Sequence, residues 1–171
     1  IDGRYRSKTE QLSPYFSEYA LIRYRVRVEC EYFEDLMRVV CPDKVITLRP
    51  VWQQFSEEDA RRVKAFEAVA NHDVKAVEYF IKEVFDRHPE WVSFKEFIHF
   101  GLTSQDINNT AVPLSVKEAL AEEMARDDRV FIMAEDVGEY GGEWNETRGL
   151  RDRFGDLRGC DLHLLLLQHG G

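Results

Sequence analysis

No run of basic residues occurs in this 171-residue chain, and acids outnumber bases 32 to 23, giving a formal net charge of −9. That balance excludes nucleic-acid binding through a phosphate-neutralising face, while leaving room for a small anion held by a few placed cations. Cysteine is scarce: Cys30, Cys41 and Cys160 form an odd set with no C-x-x-C pair. A disulfide framework or a structural zinc site is therefore not expected, and reduced thiols in the cytoplasm fit the count. No apolar run approaches the roughly 20 residues that span a bilayer, and no signal-peptide pattern opens the chain. No membrane partner is expected. A methionine start is also lacking: the first residue is Ile1, which points to a processed end or a fragment. The length suits one domain with a sizeable core and falls short of two domains of typical size. Charged residues at 32 % and hydrophobic ones at 44 % describe an ordinary globular composition.

Proline and lysine vanish partway along. All 5 prolines and all 7 lysines lie at or before Lys117, whereas 8 of the 10 glycines follow Glu118. Up to Glu118 the pattern is helical. In 17–40, Ile22, Val26, Phe33, Met37 and Val40 keep mostly to one face, with Arg25 and Glu29 available as an i,i+4 pair outside. Ser56 followed by Glu57, Glu58 and Asp59 reads as a cap leading into a helix over 57–70. Asn71-His72-Asp73 interrupts, and Asp73 caps a helix over 74–87 with a Val77, Ile81, Val84, Phe85 stripe ending before Pro89. A short helix is expected at 93–99. FGLTSQDINNT at 100–110 then packs 7 polar side chains and one glycine into 11 residues. Gly101 stops the preceding helix, and Thr103 or Ser104 caps the next, with Asp106 placed for a capping box. Pro113 should kink that helix. After 126 the pattern changes to a buried strand at 129–134, a glycine-rich loop and a short helix at 145–154. A lone parallel-type strand leaves backbone groups unpaired, so this unit calls for a sheet that the chain does not contain. The tail from Arg158 has no clear place in it.

Two polar clusters can carry chemistry, Asn71-His72-Asp73 and Thr103-Ser104. Both lie at helix starts, where free N–H groups and the dipole favour an anion such as phosphate or carboxylate, and His72 is the side chain whose charge changes near neutral pH. The plainer alternative makes Asp73 and Thr103 N-caps, each contributing about 1 kcal/mol, with His72 at the surface. His88 and His99 have no metal-ligand partners nearby, so solvated or packing roles are expected for them. Arg4-Tyr5 suits a phosphate and a stacked base, or simply an N-terminal arm. Glu135 and Asp136 end the expected strand, where adjacent acids more commonly serve solubility than a metal, because neighbouring strand residues point apart.

The segments IDGRY (1–5), FSEYALIRYRV (16–26), FSEEDA (55–60), NHDVKAVEYFIKE (71–83) and EFIHFGLTSQDINNTAVPL (96–114) together resemble the N-terminal helical domain of the adenylosuccinate lyase family, in the aspartase/fumarase superfamily. The likeness covers nearly all of 1–119. It implies a mainly α fold, a homotetramer in purine synthesis, elimination of fumarate from adenylosuccinate and from the succinyl-carboxamide intermediate, and no cofactor. It assigns Arg4, Tyr5, Asn71, His72, Asp73, Thr103 and Ser104 to purine-nucleotide substrate binding, with His72 an auxiliary in stabilising a dianionic carbanion. The family's general acid is a histidine in a Thr-His-Gly-Gln motif, and its base a serine in Gly-Ser-Ser-x-Met-Pro. Neither motif is in this sequence, so no catalytic acid or base is expected here and the chain alone should be inactive.

The segment 117–158, with RVF-x-x-x-EDVG and YGG as its specific elements, resembles the start of the β subunit of the thiamine-diphosphate-dependent 2-oxoacid dehydrogenases. The cofactor-contacting glutamate motif of that family has no counterpart in RGCDLHLLLLQHGG, so thiamine binding is not implied. The two resemblances meet at KEAL, 117–120, which suggests a join of two coding sequences, an appendage over 119–171 and an unmatched tail at 159–171.

Overall fold

The computed structural model describes residues 3–134, 136–137, 141–142, 146–156 and 158–161. After two 3₁₀ turns at Arg6–Lys8 and Glu10–Leu12, the chain forms α1 (Ser13–Phe16), α2 (Glu18–Val40), α3 (Arg49–Gln53), α4 (Glu57–Ala70) and α5 (Asp73–Asp86). A 3₁₀ segment at Val92–Phe97 follows, then α6 (Ser104–Arg126), β1 (Ile132–Ala134), α7 (Leu150–Phe154) and β2 (Gly159–Asp161). Two compact units divide between Ala111 and Val112, inside α6. The helix stays continuous across Pro113, whose missing N–H withdraws a donor from the Asn109 carbonyl.

In the first unit the core is built on α2. Ile22, Val26, Phe33 and Met37 are buried on its inner face, against Val63 of α4 and Val77, Ile81 and Phe85 of α5. The Phe33 and Phe85 rings meet edge to face at 5.1 Å, and Phe55 and Phe80 do the same at 5.7 Å, the arrangement that sets a positive ring edge on a negative face. Val40, expected on this stripe, is 44 % exposed, because α2 runs beyond the helices that cover its middle. Ser17 caps α2 by accepting the Ala20 N–H. Ser56 and Asp59 form a reciprocal capping box on α4, each side chain accepting the other's backbone N–H. The α4–α5 connection is one tight corner. Asn71 ends α4 in the left-handed conformation (φ 51°), and His72 is the N-cap of α5, its Nδ1 accepting the Lys75 N–H at 3.1 Å. The cap expected of Asp73 thus belongs to His72: Asp73 is already the first helical residue, and its carboxylate accepts its neighbour Val74's N–H instead.

The second unit contains the rest of α6 and a small parallel pair of strands. β1 pairs with β2 in the register Ile132–Gly159, Met133–Cys160 and Ala134–Asp161, with α7 between them in sequence. This corrects two expectations. β1 has a partner within the chain, and that partner lies at the start of the tail from Arg158, expected to have no clear place. Nor is β1 fully buried: Phe131 just before it is 56 % and Met133 46 % exposed, as a two-stranded sheet covers little. The helix expected over 145–154 is confined to α7, with 143–145 outside the described residues. Gly141 is required by geometry, since at φ 87° a Cβ there would lie 2.8 Å from the Arg148 Cα. Arg158 directs its guanidinium to the carbonyls of Met124 and Asp127, acceptors that the end of α6 leaves orphaned, and to that of Val130 just before β1. The tail 162–171 and Glu135 lie outside the described residues.

Replacing Phe85 by alanine removes a fully buried ring and is expected to cost about 3–5 kcal/mol. Val45→Ala, at a side chain 92 % exposed, should stay within about 0.5 kcal/mol. Urea unfolding of the two variants measures both.

Candidate functional site

One end of the first unit gathers the starts of α5 and α6 against the middle of α2. Arg25 lies between them. The residue is buried at 8 % exposure, with Nη2 2.7 Å from Asp73 Oδ2 at the start of α5 and Nε donating to Asn108 Oδ1 on α6 at 2.9 Å. The i,i+4 pair expected outside α2 is therefore not made: Arg25 and Glu29 face inward, Arg25 towards α5 and α6 and Glu29 towards the turn that carries His99. The planar guanidinium suits this role, since its fixed fork serves two acceptors at once.

The two polar clusters come together here. His72 Nε2 lies 3.3 Å from Ser104 Oγ. Because Nδ1 accepts the Lys75 N–H, a neutral ring carries its proton on Nε2 and donates it to Ser104. Thr103 caps α6: Asp106 N–H donates to its Oγ1 at 3.4 Å, while Thr103 N and Oγ1 both donate to Asp106 Oδ2 at 2.7 Å. The Thr103 hydroxyl proton is thus engaged with Asp106, whereas Ser104, accepting from His72, keeps its own proton to donate. Asn71 sits at the same corner with its backbone fixed by the α4 terminus. Arg4 and Tyr5 are exposed and stack on one another, the guanidinium 5.7 Å from the ring. No contact among the described residues joins them to this cluster.

A second pair was not foreseen. His99, expected to be solvated or packed, places Nδ1 2.5 Å from Oε1 of the buried Glu29. It occupies a turn with two left-handed residues, His99 (φ 60°) and Gly101 (φ 74°), held to α2 by the Tyr32 hydroxyl donating to the Phe100 carbonyl at 2.7 Å. The sequence signal for it is the place of Glu29, three residues after Val26 and four before Phe33, on the inner face of α2. His88 stacks on Trp91 at 4.0 Å and stays partly exposed. No group of three potential metal ligands occurs among the described residues, and no helix of those residues is long and apolar enough to cross a membrane.

The acids at the site are tuned in opposite directions. Burial works to raise the Asp73 carboxyl, but the Val74 N–H and the Arg25 guanidinium outweigh it and hold it below the usual range. Burial dominates at Glu29 and pushes it up, against the pull of His99. Glu78 is buried too, yet Lys75 and Lys82 reach its two oxygens at 2.7 and 3.1 Å and hold it low despite burial.

A helical domain of the aspartase/fumarase type, with its polar groups collected at helix starts, is the class that this architecture defines. The chain belongs to the lyase family, whose model matches residues 3–134. Among curated relatives, it is 46 % identical to the adenylosuccinate lyase of Dictyostelium discoideum over 154 residues, which cover 84 % of this chain and 33 % of that protein. The adenylosuccinate lyases of Legionella pneumophila (strain Corby) and Escherichia coli (strain K12) are 45 % and 43 % identical over 130 residues, 71 % of this chain and 28 % of each. The chain spans about a third of the length of the curated relatives it matches. The family match runs past Glu118 and through β1.

Asp73 makes the acid side of stability testable. With its folded pKa depressed, its contribution is complete above the ordinary carboxylate value of about 4 and is lost as pH falls through the lower folded value. Asp73→Asn should therefore lower the urea midpoint at neutral pH and flatten its decline towards acid, when midpoints are followed against pH for both proteins.

Proposed function

We propose that this chain supplies part of the purine-nucleotide site of an adenylosuccinate lyase, the enzyme that eliminates fumarate from adenylosuccinate and from the related succinyl-carboxamide. The observation that carries this reading is the His72–Ser104 contact, which unites two helix starts over a buried arginine. Such substrates carry a phosphate and two carboxylates, so they need donors, a cation and helix-start N–H groups. Ser104 donates its remaining hydroxyl proton to an anionic oxygen. Thr103 and Asn71 fix the two corners, and His72 supports the negative charge that builds when the proton beside a carboxylate departs. Asp73 acts through Arg25, and Arg4 and Tyr5 add a phosphate contact and a stacking face when the N-terminal arm closes on the ligand. The general acid and base come from sequence beyond this chain, in a cytoplasmic homotetramer that uses no cofactor.

A second reading concerns the second unit. The parallel β1–β2 pair with α7 between its strands favours the α/β likeness to a 2-oxoacid dehydrogenase β subunit, joined near 117–120 to the lyase part as a chimera. Sequencing the source locus across the junction discriminates: a break there supports the join, and a genuine unbroken transcript removes an assembly artefact.

The purified chain should melt later in adenosine monophosphate, by the equivalent of about 2.7 kcal/mol at a hundredfold excess over Kd, and His72→Ala should abolish most of that shift. It should release no measurable fumarate from adenylosuccinate, because lacking an acid or a base forfeits about 10²–10⁴ in rate for each. An unchanged melting temperature, or fumarate release by the chain alone, contradicts the reading.

A further inference from the structure

Packing alone does not account for the Glu29–His99 pair. Glu29 is fully buried on α2; His99 Nδ1 meets its Oε1 at 2.5 Å, while its Oε2 has no hydrogen-bond partner among the described residues. His99 in turn adopts a left-handed backbone (φ 60°), uncommon for residues other than glycine. Both features cost stability, and costs of this kind persist where the surroundings enforce them, commonly at functional sites. Glu78 provides the contrast: also buried, at 3 % exposure against 0 % for Glu29, it has both oxygens met by lysines. This fold can therefore satisfy a buried glutamate completely, and at Glu29 it does not.

The ring nitrogens show what the arrangement achieves. His72 Nδ1 accepts a backbone N–H, so its neutral ring is protonated on Nε2. His99 Nδ1 faces a carboxylate oxygen, so its neutral ring is protonated on Nδ1 and leaves Nε2 as an acceptor. Which nitrogen carries the proton is set by the partner of the other one. The remaining charged groups that act on the pair are Glu78 and Lys75 towards Glu29, and Asp106 towards His99.

We propose that Glu29 is a positioning residue whose buried carboxylate fixes His99 in the Nδ1-protonated form, so that the site holds two imidazoles of opposite tautomer. This rests on the reading of the cluster as a nucleotide site. Within that site, His72 offers an N–H donor, and His99 offers a lone pair or, once protonated, a cation.

The test is long-range ¹H–¹⁵N NMR of the imidazole nitrogens in the labelled 171-residue chain, recorded with both rings neutral, together with calorimetric titration by adenosine monophosphate. The wild type should show His99 protonated on Nδ1 and His72 on Nε2. Glu29→Leu should move His99 to the Nε2-protonated form, leave His72 unchanged, and weaken nucleotide binding about tenfold, the order set by one hydrogen bond to a charged group. Its urea midpoint at neutral pH should not fall, because a half-satisfied buried charge has been removed. Glu29→Gln, whose carbonyl oxygen still accepts from Nδ1–H, should keep the tautomer and recover part of the affinity. His99 protonated on Nε2 in the wild type would overturn the proposal, as would unchanged His99 nitrogen signals in Glu29→Leu alongside a lowered midpoint. Since the wild-type spectrum requires no ligand, the expected tautomers without nucleotide binding would sink the nucleotide reading alone and leave the role of Glu29 standing.

Discussion

The Arg25 guanidinium, buried on α2, makes two bonds: one to the first residue of α5 and one to the second turn of α6. Those helix starts are far apart in sequence, and hydrophobic contact is non-directional. Burial brings α2 and α5 together through Phe33 and Phe85, but it does not by itself choose the rotation at which His72 meets Ser104. A planar cation with acceptors fixed on two sides does choose it. The relative placement of the two helix starts is set through that side chain.

Around this hub the molecule combines a strongly acidic surface with a site built largely from neutral donors. The net charge of −9 repels anions at long range, so the anionic ligand proposed for this site is one recognised at short range, by hydroxyls, helix-start N–H groups and imidazoles. Salt screens the long-range repulsion far more than it weakens partly buried contacts. The same short-range logic explains why three carboxylates of the cluster are occupied: Asp73 by Arg25 and Val74, Asp106 by Thr103, Glu78 by two lysines. An acid committed to a partner offers less resistance to an incoming anion.

Much of this was legible in the sequence because it is local. The Ser56–Asp59 and Thr103–Asp106 boxes depend on spacing of three residues, and the α2 and α5 stripes on helical periodicity, so α4 and the core faces follow directly. The assignments that failed depended on long-range partners. Arg25 and Glu29 look like a surface pair when α2 is considered alone, and only α5, α6 and the His99 turn pull them inside. Asp73 is the commoner cap by residue type, yet the left-handed Asn71 advances the helix start by one residue and gives the position to His72. β1 seemed unpaired because β2 is only three residues long and begins in a stretch without strand periodicity.

The left-handed Asn71 leaves the α4–α5 connection with no slack. One residue inserted beside it would turn α5 by about 100° about its own axis, carrying His72 and Asp73 away from Ser104 and Arg25 and presenting the Val77–Ile81–Phe85 stripe to the wrong neighbours. Segments that join helices usually absorb length changes readily. At this corner, sequence length itself is a structural parameter.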